Sequence, residues 1–425
     1  MTEYTVQGIG ITELAQAYGT PLFVYDEEVL AGQYDRLRDR LHPAVDVYFS
    51  LKANPNIAVC AALHAHGARA EVSSLSELVT AVRAGVPADQ IIFVGPGKSV
   101  EELTACLDAG VAAVICESFG ELALLDRLAG VAGVQPAVAL RVNPDFAVKG
   151  SGLTMGGKPR QFGIDIEQLL AADDLVARHP HLRIRGVQAY LGTRILDAAV
   201  IVANTARILD LAAGLAGRLG FPLDLVDVGG GLGVAYFDGE RALDVDSLID
   251  GLNPVVGAFL AGHPRTRLAI ETGRYLTAPA GVYVTRVRYT KTSSSERFAV
   301  TDGGTNHHMA AVGIGSFVKR NFPMLVLNRT GEPADAAWTV TGPLCTPNDT
   351  LGRRVALPDP RPGDLIGVLR SGAYGPSASP VLFLGHGHPA EVLVVNGRHH
   401  LVRSRDSTED LLRQQRLPLD IRSSI

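Results

Sequence analysis

Residues 45–72 read V-D-V-Y-F-S-L-K-A-N-P-N-I-A-V-C-A-A-L-H-A-H-G-A-R-A-E-V, and this stretch decides the fold. It opens with a short β-branched and aromatic run and continues with an Ala-rich segment of helical period. It closes with a second strand-like run. The strand–helix–strand order predicts two parallel strands joined by a helical crossover.

The same unit recurs along the chain as far as residue 274. Eight strand-like runs alternate with helical segments: V-D-V-Y-F-S, A-R-A-E-V-S, I-I-F-V-G, A-A-V-I-C-E, A-V-A-L-R-V, I-R-G-V-Q-A-Y, D-L-V-D-V-G and R-L-A-I-E-T. Eight such units in roughly 240 residues predict a closed (β/α)8 barrel of the TIM type rather than an open sheet. We assign the barrel to residues 28–280.

The remaining residues predict a second domain. Residues 281–425 contain alternating apolar runs bounded by Gly, Pro, Asn and Asp, which indicates a mostly antiparallel β domain. The first 27 residues include P-L-F-V-Y-D, a run that we expect to pair with this domain. The predicted fold class is therefore α/β, a barrel plus a C-terminal β domain formed by residues 1–27 and 281–425.

Composition and charge indicate which partners and which cellular location to expect. The net charge is −5 and no Lys/Arg-rich run occurs, so nucleic acid is not an expected partner. The four cysteines lack metal-type spacing, which predicts no metal site and favours a reducing compartment. No secretion signal and no run of eighteen apolar residues is present, so we expect a cytoplasmic protein without a membrane span.

Polar residues and glycines cluster after the predicted strands. Barrels of this type place their chemistry at the carboxyl ends of the strands. The following residues share that position: Lys52, Glu71, Arg141, Tyr190, Gly229, Gly230, Gly231, Glu271, Gly273 and Arg274. One lysine, two acids, two arginines, one tyrosine and two glycine-containing loops are thus predicted to meet at one mouth.

Each of these residues also has a structural interpretation. Glu71 could pair with Arg69 or Arg141, and Glu271 could be a partner of Arg274. The glycine run could be an ordinary tight turn. A purely structural account of all of them requires several independent coincidences.

The combined set fits pyridoxal 5′-phosphate (PLP). Glycine-rich loops after the seventh and eighth strands are where such barrels hold phosphate, and residues 229–231 and 273–274 lie there. Arg274 can add a charge-assisted contact to phosphate. Glu271 is the candidate for holding the pyridine nitrogen protonated, and Lys52 for carrying the cofactor as a Schiff base.

These segments resemble the fold-type III PLP decarboxylases, the group of diaminopimelate, ornithine and arginine decarboxylases. The matching motifs cover nearly the whole chain: S-L-K-A-N, A-E-V-S-S-L-S-E-L, V-D-V-G-G-G-L-G, E-T-G-R, T-G-P-L-C-T-P-N-D and S-G-A-Y-G. The resemblance implies a homodimer in which Cys345 of one subunit protonates the carbanion left by CO₂ loss in the other. It also implies that Tyr374 contacts the cofactor. Cys60, Cys106 and Cys116 are expected to be structural.

Three departures from the family pattern bear on the substrate. Tyr190 stands where the family has a histidine stacked on the cofactor ring, and a flat aromatic ring can still stack there. Thr346 follows Cys345, where the family has an acid that binds the distal amine of the substrate; Asp349 is retained nearby, and both are expected substrate contacts. The segment containing His307 and His308 replaces an R-P segment, and adjacent histidines are more often surface or turn residues than ligands.

These departures resemble an offshoot of specialised metabolism, which includes a decarboxylase of glutamate tethered to an acyl carrier protein in butirosin biosynthesis. Basic residues are the expected contacts to a carrier or its phosphopantetheine arm, although a solvated loop is the simpler interpretation: Lys149, Lys158, Arg160, Lys319 and Arg320. The prediction is decarboxylation of an amino acid or a carrier-tethered amino-acyl group. The alternatives are a diaminopimelate decarboxylase that makes L-lysine, a PLP-dependent racemase or epimerase, and a non-enzymatic binding protein.

Overall fold

The computed structural model describes residues 2–146, 153–154, 159–312 and 320–418 of the 425-residue chain. The chain forms two compact units, one made of residues 29–279 and one of residues 1–28 together with 280–425. The segment before the barrel holds β1 (Thr5–Val6), β2 (Ile9–Gly10), α1 (Ile11–Tyr18) and β3 (Leu22–Asp26).

The unit of residues 29–279 is a closed barrel. Its strands are β4 (Val45–Ser50), β5 (Arg69–Val72), β6 (Ile91–Phe93), β7 (Ala113–Cys116), β8 (Ala137–Asn143), β9 (Leu153–Thr154), β10 (Ile164–Asp165), β11 (Arg183–Gln188), β12 (Gly192–Thr193), β13 (Leu225–Asp227) and β14 (Arg267–Thr272). The parallel order β4-β5-β6-β7-β8-β11-β13-β14 closes by pairing β14 with β4. All eight predicted strands, and the barrel, are confirmed.

Helices alternate with these strands. They are α2 (Glu27–Arg38), α3 (Ile57–Ala65), α4 (Leu75–Arg83), α5 (Val100–Ala109), α6 (Phe119–Ala132), α7 (Ile166–Leu170), α8 (Ala198–Leu219), α9 (Val245–Gly262) and α10 (Arg274–Thr277). Ser74, Ser99 and Ser118 each cap a helix by accepting a hydrogen bond from the backbone N–H three residues on, and Ser99 forms a reciprocal box with Glu102. Gly110 ends α5 at φ +69°, which glycine adopts without a Cβ clash. These caps keep the loops beside the strand ends short and ordered.

Among the described residues one helix, α8, has the length and apolar composition to cross a membrane. Its buried positions include Ile201, Thr205, Ile208 and Ala212, spaced three or four residues apart as on one face of an amphipathic helix. That face packs against α9 and β11. These contacts place α8 among the helices of the barrel.

The other unit is built on a mixed sheet. After the barrel it contains β15 (Gly281–Ser293), β16 (Glu296–Thr301), β17 (Met324–Val326), β18 (Ala336–Thr341), β19 (Thr350–Leu357), β20 (Leu365–Leu369), β21 (Ala390–Val395), β22 (Arg398–Arg403) and α11 (Thr408–Leu412). The order is β19-β18-β16-β15-β3-β21-β22, and β20 also pairs with β15 and β17. Most neighbours are antiparallel, as predicted, but β16–β18 and β21–β3 are parallel.

Strand β3 lies inside this sheet and pairs with β15 on one side and β21 on the other. Leu22 and Val24 are buried with Val282, Val284 and Val392 in one apolar core. The predicted pairing of P-L-F-V-Y-D with the C-terminal strands is confirmed. Burial on both faces explains why this segment is a continuous apolar run.

Candidate active site

Lys52 and Glu71 form an ion pair at one end of the barrel. Lys52 lies in the turn Leu51–Ala53 directly after β4, and Glu71 lies in β5, the neighbouring strand. The Nζ atom donates to both carboxylate oxygens of Glu71, at 3.0 and 2.9 Å, and Ser73 Oγ donates to one of them at 3.0 Å. The Lys52 side chain is 42 % exposed, whereas that of Glu71 is fully buried. The interpretation that Glu71 pairs with an arginine is therefore wrong.

The charges around Lys52 stabilise its ammonium form. Burial opposes that form, but the carboxylates of Glu71 and Glu271 and the hydroxyl of Tyr190 outweigh it and raise the pKa of Lys52. Burial opposes the carboxylate of Glu71, but the ammonium and hydrogen bonds prevail and lower its pKa. Tyr190 follows β11 and is half-buried. Glu71, Glu271 and Tyr190 therefore all lie close enough to Lys52 to act on its charge.

A second pair of carboxyl groups lies on β13 and β14. Glu271 accepts a hydrogen bond from Gln188 Nε2 at 3.0 Å and is 4 % exposed. Asp227 is fully buried, and burial together with the charge of Glu271 raises the pKa of Asp227 well above its ordinary range. Burial and the charge of Glu71 also raise the pKa of Glu271. Both shifts favour the protonated form of these buried carboxyl groups, and Asp227 is a residue that sequence reasoning missed.

Arg141 pairs with a residue that the sequence analysis did not single out. Its Nη1 atom donates to Glu117 Oε1 at 2.8 Å, and the guanidinium lies 4.8 Å from the Phe162 ring centroid. Glu117 also accepts from the backbone N–H groups of Gly95 and Gly163. Both members of the ion pair are buried, so the Glu117 carboxylate and the Phe162 ring together hold Arg141 in place. Glu117 directly follows β7, the position that the strand-end argument emphasises.

The glycine loop after β13 is required by close packing. A Cβ at Gly230 would lie 1.5 Å from the carbonyl oxygen of Glu271, and one at Gly231 would lie 2.2 Å from that of Gly192. Gly229 and Gly231 have φ of +66° and +82°, which side chains disfavour. The chain's own backbone already excludes side chains here. This agrees with the tight-turn interpretation and also leaves the loop's backbone bare.

Gly273 and Arg274 follow β14. A Cβ at Gly273 would lie 2.5 Å from that of Ala53, beside Lys52, so the two loops are in contact. Arg274 opens α10, and its Nη1 atom donates to the Tyr236 hydroxyl at 3.3 Å. The lysine turn and the predicted phosphate loop thus belong to one compact group.

The residues predicted from the C-terminal motifs lie in the other unit. Cys345 is exposed and Thr346 is half-buried, in the loop between β18 and β19. Asp349 is 3 % exposed, and its carboxylate accepts hydrogen bonds from Thr305 N and Oγ1 and from Leu344 N. Asp349 therefore supports the loop that carries Cys345, and its contact with a substrate stays a prediction.

The paired histidines and Tyr374 also lie in this unit. His307 and His308 were expected at the surface or in a turn: His307 lies in a turn, but at 3 % and 0 % exposure neither residue is at the surface. His308 Nε2 bonds to Ser371 Oγ at 2.8 Å, inside a group of aromatic rings that includes Tyr283. Tyr374 is half-buried with φ of +53°, a strained conformation for tyrosine. Its contact with a cofactor stays a prediction.

Two of the five basic residues that were predicted to contact a carrier lie within the described part of the chain. Arg160 and Arg320 are exposed. Lys149, Lys158 and Lys319 lie outside the described residues. The remaining predicted cysteines, Cys60, Cys106 and Cys116, are buried in α3, α5 and β7, as expected for structural residues.

The donor set of the barrel fits PLP. The carboxylates of the buried residues Glu71 and Glu271 both act on one ammonium, Lys52, so this group carries an excess of negative charge. A protonated ring nitrogen beside Glu271 would relieve that excess. The N–H of Gly229 donates to Asp227, which leaves the backbone of Gly230 and Gly231 in this loop and Arg274 after the next strand as groups that suit an anion such as phosphate.

Comparisons with known proteins agree with this geometry. Residues 28–278 match the family described as pyridoxal-dependent decarboxylase, pyridoxal binding domain. The chain is 40 % identical over 409 residues to the L-glutamyl-[BtrI acyl-carrier protein] decarboxylase of Niallia circulans, covering 95 % of this chain and 96 % of that one. It is 31 % identical to the diaminopimelate decarboxylase of Zymomonas mobilis, covering 96 % of each.

The fold also matches that of a solved structure. The crystal structure of diaminopimelate decarboxylase from M. jannaschii in co-complex with L-lysine superposes with a TM-score of 0.89 at 26 % identity. The match covers 98 % of this chain and 96 % of that chain.

Proposed function

Because the chain belongs to the family of pyridoxal-dependent decarboxylases, we propose that it removes the α-carboxyl group of a glutamyl group tethered to an acyl carrier protein. The observation that carries this choice is the 40 % identity to a decarboxylase of that substrate, against 31 % to a diaminopimelate decarboxylase. Reaction with PLP at the α-carbon needs a free α-amine and a free α-carboxylate. Glutamate must therefore be tethered through its side-chain carboxyl group.

Thr346 supports a tethered substrate on physical grounds. The distal end of diaminopimelate or ornithine carries an ammonium, which the family binds with an acid after its cysteine. The thioester end of a tethered glutamyl group is neutral. A threonine hydroxyl at this position satisfies a neutral polar group and avoids leaving a carboxylate without a cation. We therefore assign Thr346 to the distal end of the substrate and Asp349 to the support of its loop.

In this proposal the barrel residues hold the cofactor and the reacting atoms. PLP, when bound, withdraws the electron pair that CO₂ leaves on the α-carbon. Lys52 holds the cofactor covalently, and Glu271 keeps its ring nitrogen protonated. Tyr190 contributes a flat ring face. The remaining contacts are expected from Glu71, Arg141, Gly229, Gly230, Gly231, Gly273 and Arg274 of the barrel and from Tyr374 of the other unit.

Cys345 is the proposed acid. It is exposed, in a loop ordered by Asp349. We propose that it donates its thiol proton to the α-carbon in the neighbouring subunit of a homodimer. We also propose that the enzyme acts in the cytoplasm, in specialised metabolism.

The cofactor assignment is tested by borohydride reduction of the PLP-loaded protein followed by peptide mass spectrometry. Wild type is expected to retain PLP covalently on the peptide containing Lys52, and Lys52→Ala to retain none. Lys291→Ala removes an exposed lysine of the other unit and serves as the matched control. Retention of PLP by Lys52→Ala would contradict the assignment.

The substrate assignment is tested by release of CO₂. The panel contains diaminopimelate, ornithine, lysine, free glutamate and carrier-bound glutamate. Carrier-bound glutamate is expected to be turned over with the highest kcat/KM. Turnover of diaminopimelate above it would instead support a lysine-producing enzyme, and epimerisation without CO₂ would support a racemase.

A further inference from the structure

A cavity of about 450 Å³ lies in the β unit beside the Cys345 loop. Leu344 and Thr346, the neighbours of Cys345 on either side, both line it. Phe298 and Val300 of β16 add apolar surface to its wall. Its volume falls within the range of about 300–1,000 Å³ that is typical of ligand pockets.

Two consecutive arginines line this cavity because β19 contains a bulge. Trp338 of β18 pairs with Val355 and Val340 pairs with Gly352, so Arg353 and Arg354 together oppose one residue of β18. Successive side chains of a regular strand point to opposite faces, yet both arginines line the same cavity. Arg354 has φ of +50°, a conformation that costs free energy in a non-glycine residue.

The arginines present positive charge to the cavity. Both are exposed, and among the described residues neither guanidinium donates a hydrogen bond or forms an ion pair. Two carboxylates also line the cavity, Asp349 and Glu296. The oxygens of Asp349 already accept hydrogen bonds from Thr305 and Leu344. Asp349 keeps its charge, but its oxygens are occupied, so Glu296 is the carboxylate of this lining that can still accept a hydrogen bond from the arginines. Arg354 also borders a neighbouring cavity that Asp335 and Asp359 line.

We propose that Arg353 and Arg354 bind the phosphate of the phosphopantetheine arm that carries the substrate. This inference rests on the proposed function and deepens it by naming the part of the tether that is recognised. The phosphodiester is the charged group of the arm, and arginine binds phosphate through paired, charge-assisted hydrogen bonds. The rest of the arm is neutral and suits the mixed wall that continues to Thr346 at the Cys345 loop.

The test compares two substrates without a carrier protein, glutamyl-S-pantetheine and glutamyl-S-4′-phosphopantetheine, each linked through the side-chain carboxyl. They differ only in the phosphate. Wild type is expected to show about tenfold lower KM for the phosphorylated substrate at similar kcat, a difference of about 1.4 kcal/mol. Arg353→Gln/Arg354→Gln is expected to lose this difference and to keep its kcat on glutamyl-S-pantetheine, which also shows that it folds.

Two single variants sharpen the comparison. Arg288→Gln removes an exposed arginine of β15 that does not line the cavity, and it is expected to keep the tenfold difference. Glu296→Gln removes the competing carboxylate, and it is expected to widen the difference.

The outcomes separate this inference from the proposed function. If neither substrate releases CO₂ while a free amino acid does, the proposed function fails. If both are decarboxylated with equal KM in wild type, the function stands and the phosphate site is overturned. An arginine effect that appears only with the whole carrier protein also overturns it, because that result assigns the arginines to the protein surface of the carrier.

Discussion

Lys52 Nζ lies 3.0 Å and 2.9 Å from the two carboxylate oxygens of Glu71, so a partly exposed ammonium neutralises a carboxylate that has no access to solvent. Loss of the lysine would leave the buried carboxylate without a counter-ion. Loss of both charges would leave no unpaired charge.

Lys52→Met is expected to destabilise the protein without PLP by about 2 kcal/mol at pH 7, below the ~3–5 kcal/mol of a fully buried pair because Lys52 is partly exposed. Adding Glu71→Gln is expected to recover most of this loss. The measurement is urea unfolding of wild type, both single variants and the double variant. Additive effects would contradict the pair.

The cost of Lys52→Met is also expected to depend on pH. In wild type the lowered pKa of Glu71 contributes stability above the pKa of the unfolded chain, and this contribution is lost as the pH falls. Without the ammonium, burial raises that pKa, and Glu71 becomes neutral on mild acidification. The difference between wild type and Lys52→Met should therefore shrink from pH 7 to pH 5. A constant difference would count against this explanation.

Glu271 and Asp227 are expected to respond differently to removal of charge. Burial and the charge of Glu271 raise the pKa of Asp227, which favours the neutral form, so Asp227→Asn is a small change and kcat should change by less than about threefold. Glu271→Gln cannot hold a ring nitrogen protonated, and kcat should fall at least about a hundredfold, equivalent to ~2.7 kcal/mol. Steady-state assays of PLP-saturated variants make the comparison. Equal losses in the two variants would contradict this difference between the two acids.

Buried histidines should make the protein less stable in acid. Burial lowers the pKa of His307 to about 4 and that of His308 to about 3, whereas histidines of the unfolded chain titrate near 6.5. Below pH 6.5 the unfolded chain binds more protons, so the free energy of unfolding falls by about 2 kcal/mol per histidine at pH 5. Urea unfolding of His308→Phe at pH 7 and pH 5 should show a smaller decrease than wild type. An unchanged decrease would exclude His308 as a source.

Mixed dimers test the origin of the acid. Lys52→Ala and Cys345→Ala proteins are each expected to be nearly inactive. If Cys345 acts in the neighbouring subunit, random reassortment of the two variants restores about a quarter of wild-type activity, because half of the dimers regain one intact site. Measurement before and after subunit exchange gives the answer. No recovery in confirmed hybrids would place Cys345 and Lys52 of one chain at the same site.

The sequence predicted the strands well and the partners of individual side chains less well. Strand-like runs at regular intervals are local features, so all eight barrel strands could be found. Glu117 was missed because its pairing with Arg141 depends on register. Cys116 lies opposite Leu140 in neighbouring strands, which brings the next residue of each strand together. A register rule applied to the predicted strand order would have found this pair.

The burial of Asp227 and of the two histidines could not be predicted from the sequence. Asp227 belongs to the quoted run D-L-V-D-V-G, but a buried neutral acid and an exposed charged one look alike in sequence. His307 and His308 were expected at the surface or in a turn, and nothing in a pair of adjacent histidines indicates burial. Their burial comes from packing with Phe23 and Tyr283, which are distant in the chain.

Strand β3 has a consequence for synthesis on the ribosome. It is translated before the barrel, yet its two neighbours, β15 and β21, are translated after it. At about 5–20 residues per second, β3 waits roughly 20–70 s for β21, with both of its edges open to other chains. We therefore expect two changes to have unequal effects. Placing many ribosomes on one message should lower the yield of folded protein more than synonymous codons that slow translation of the barrel.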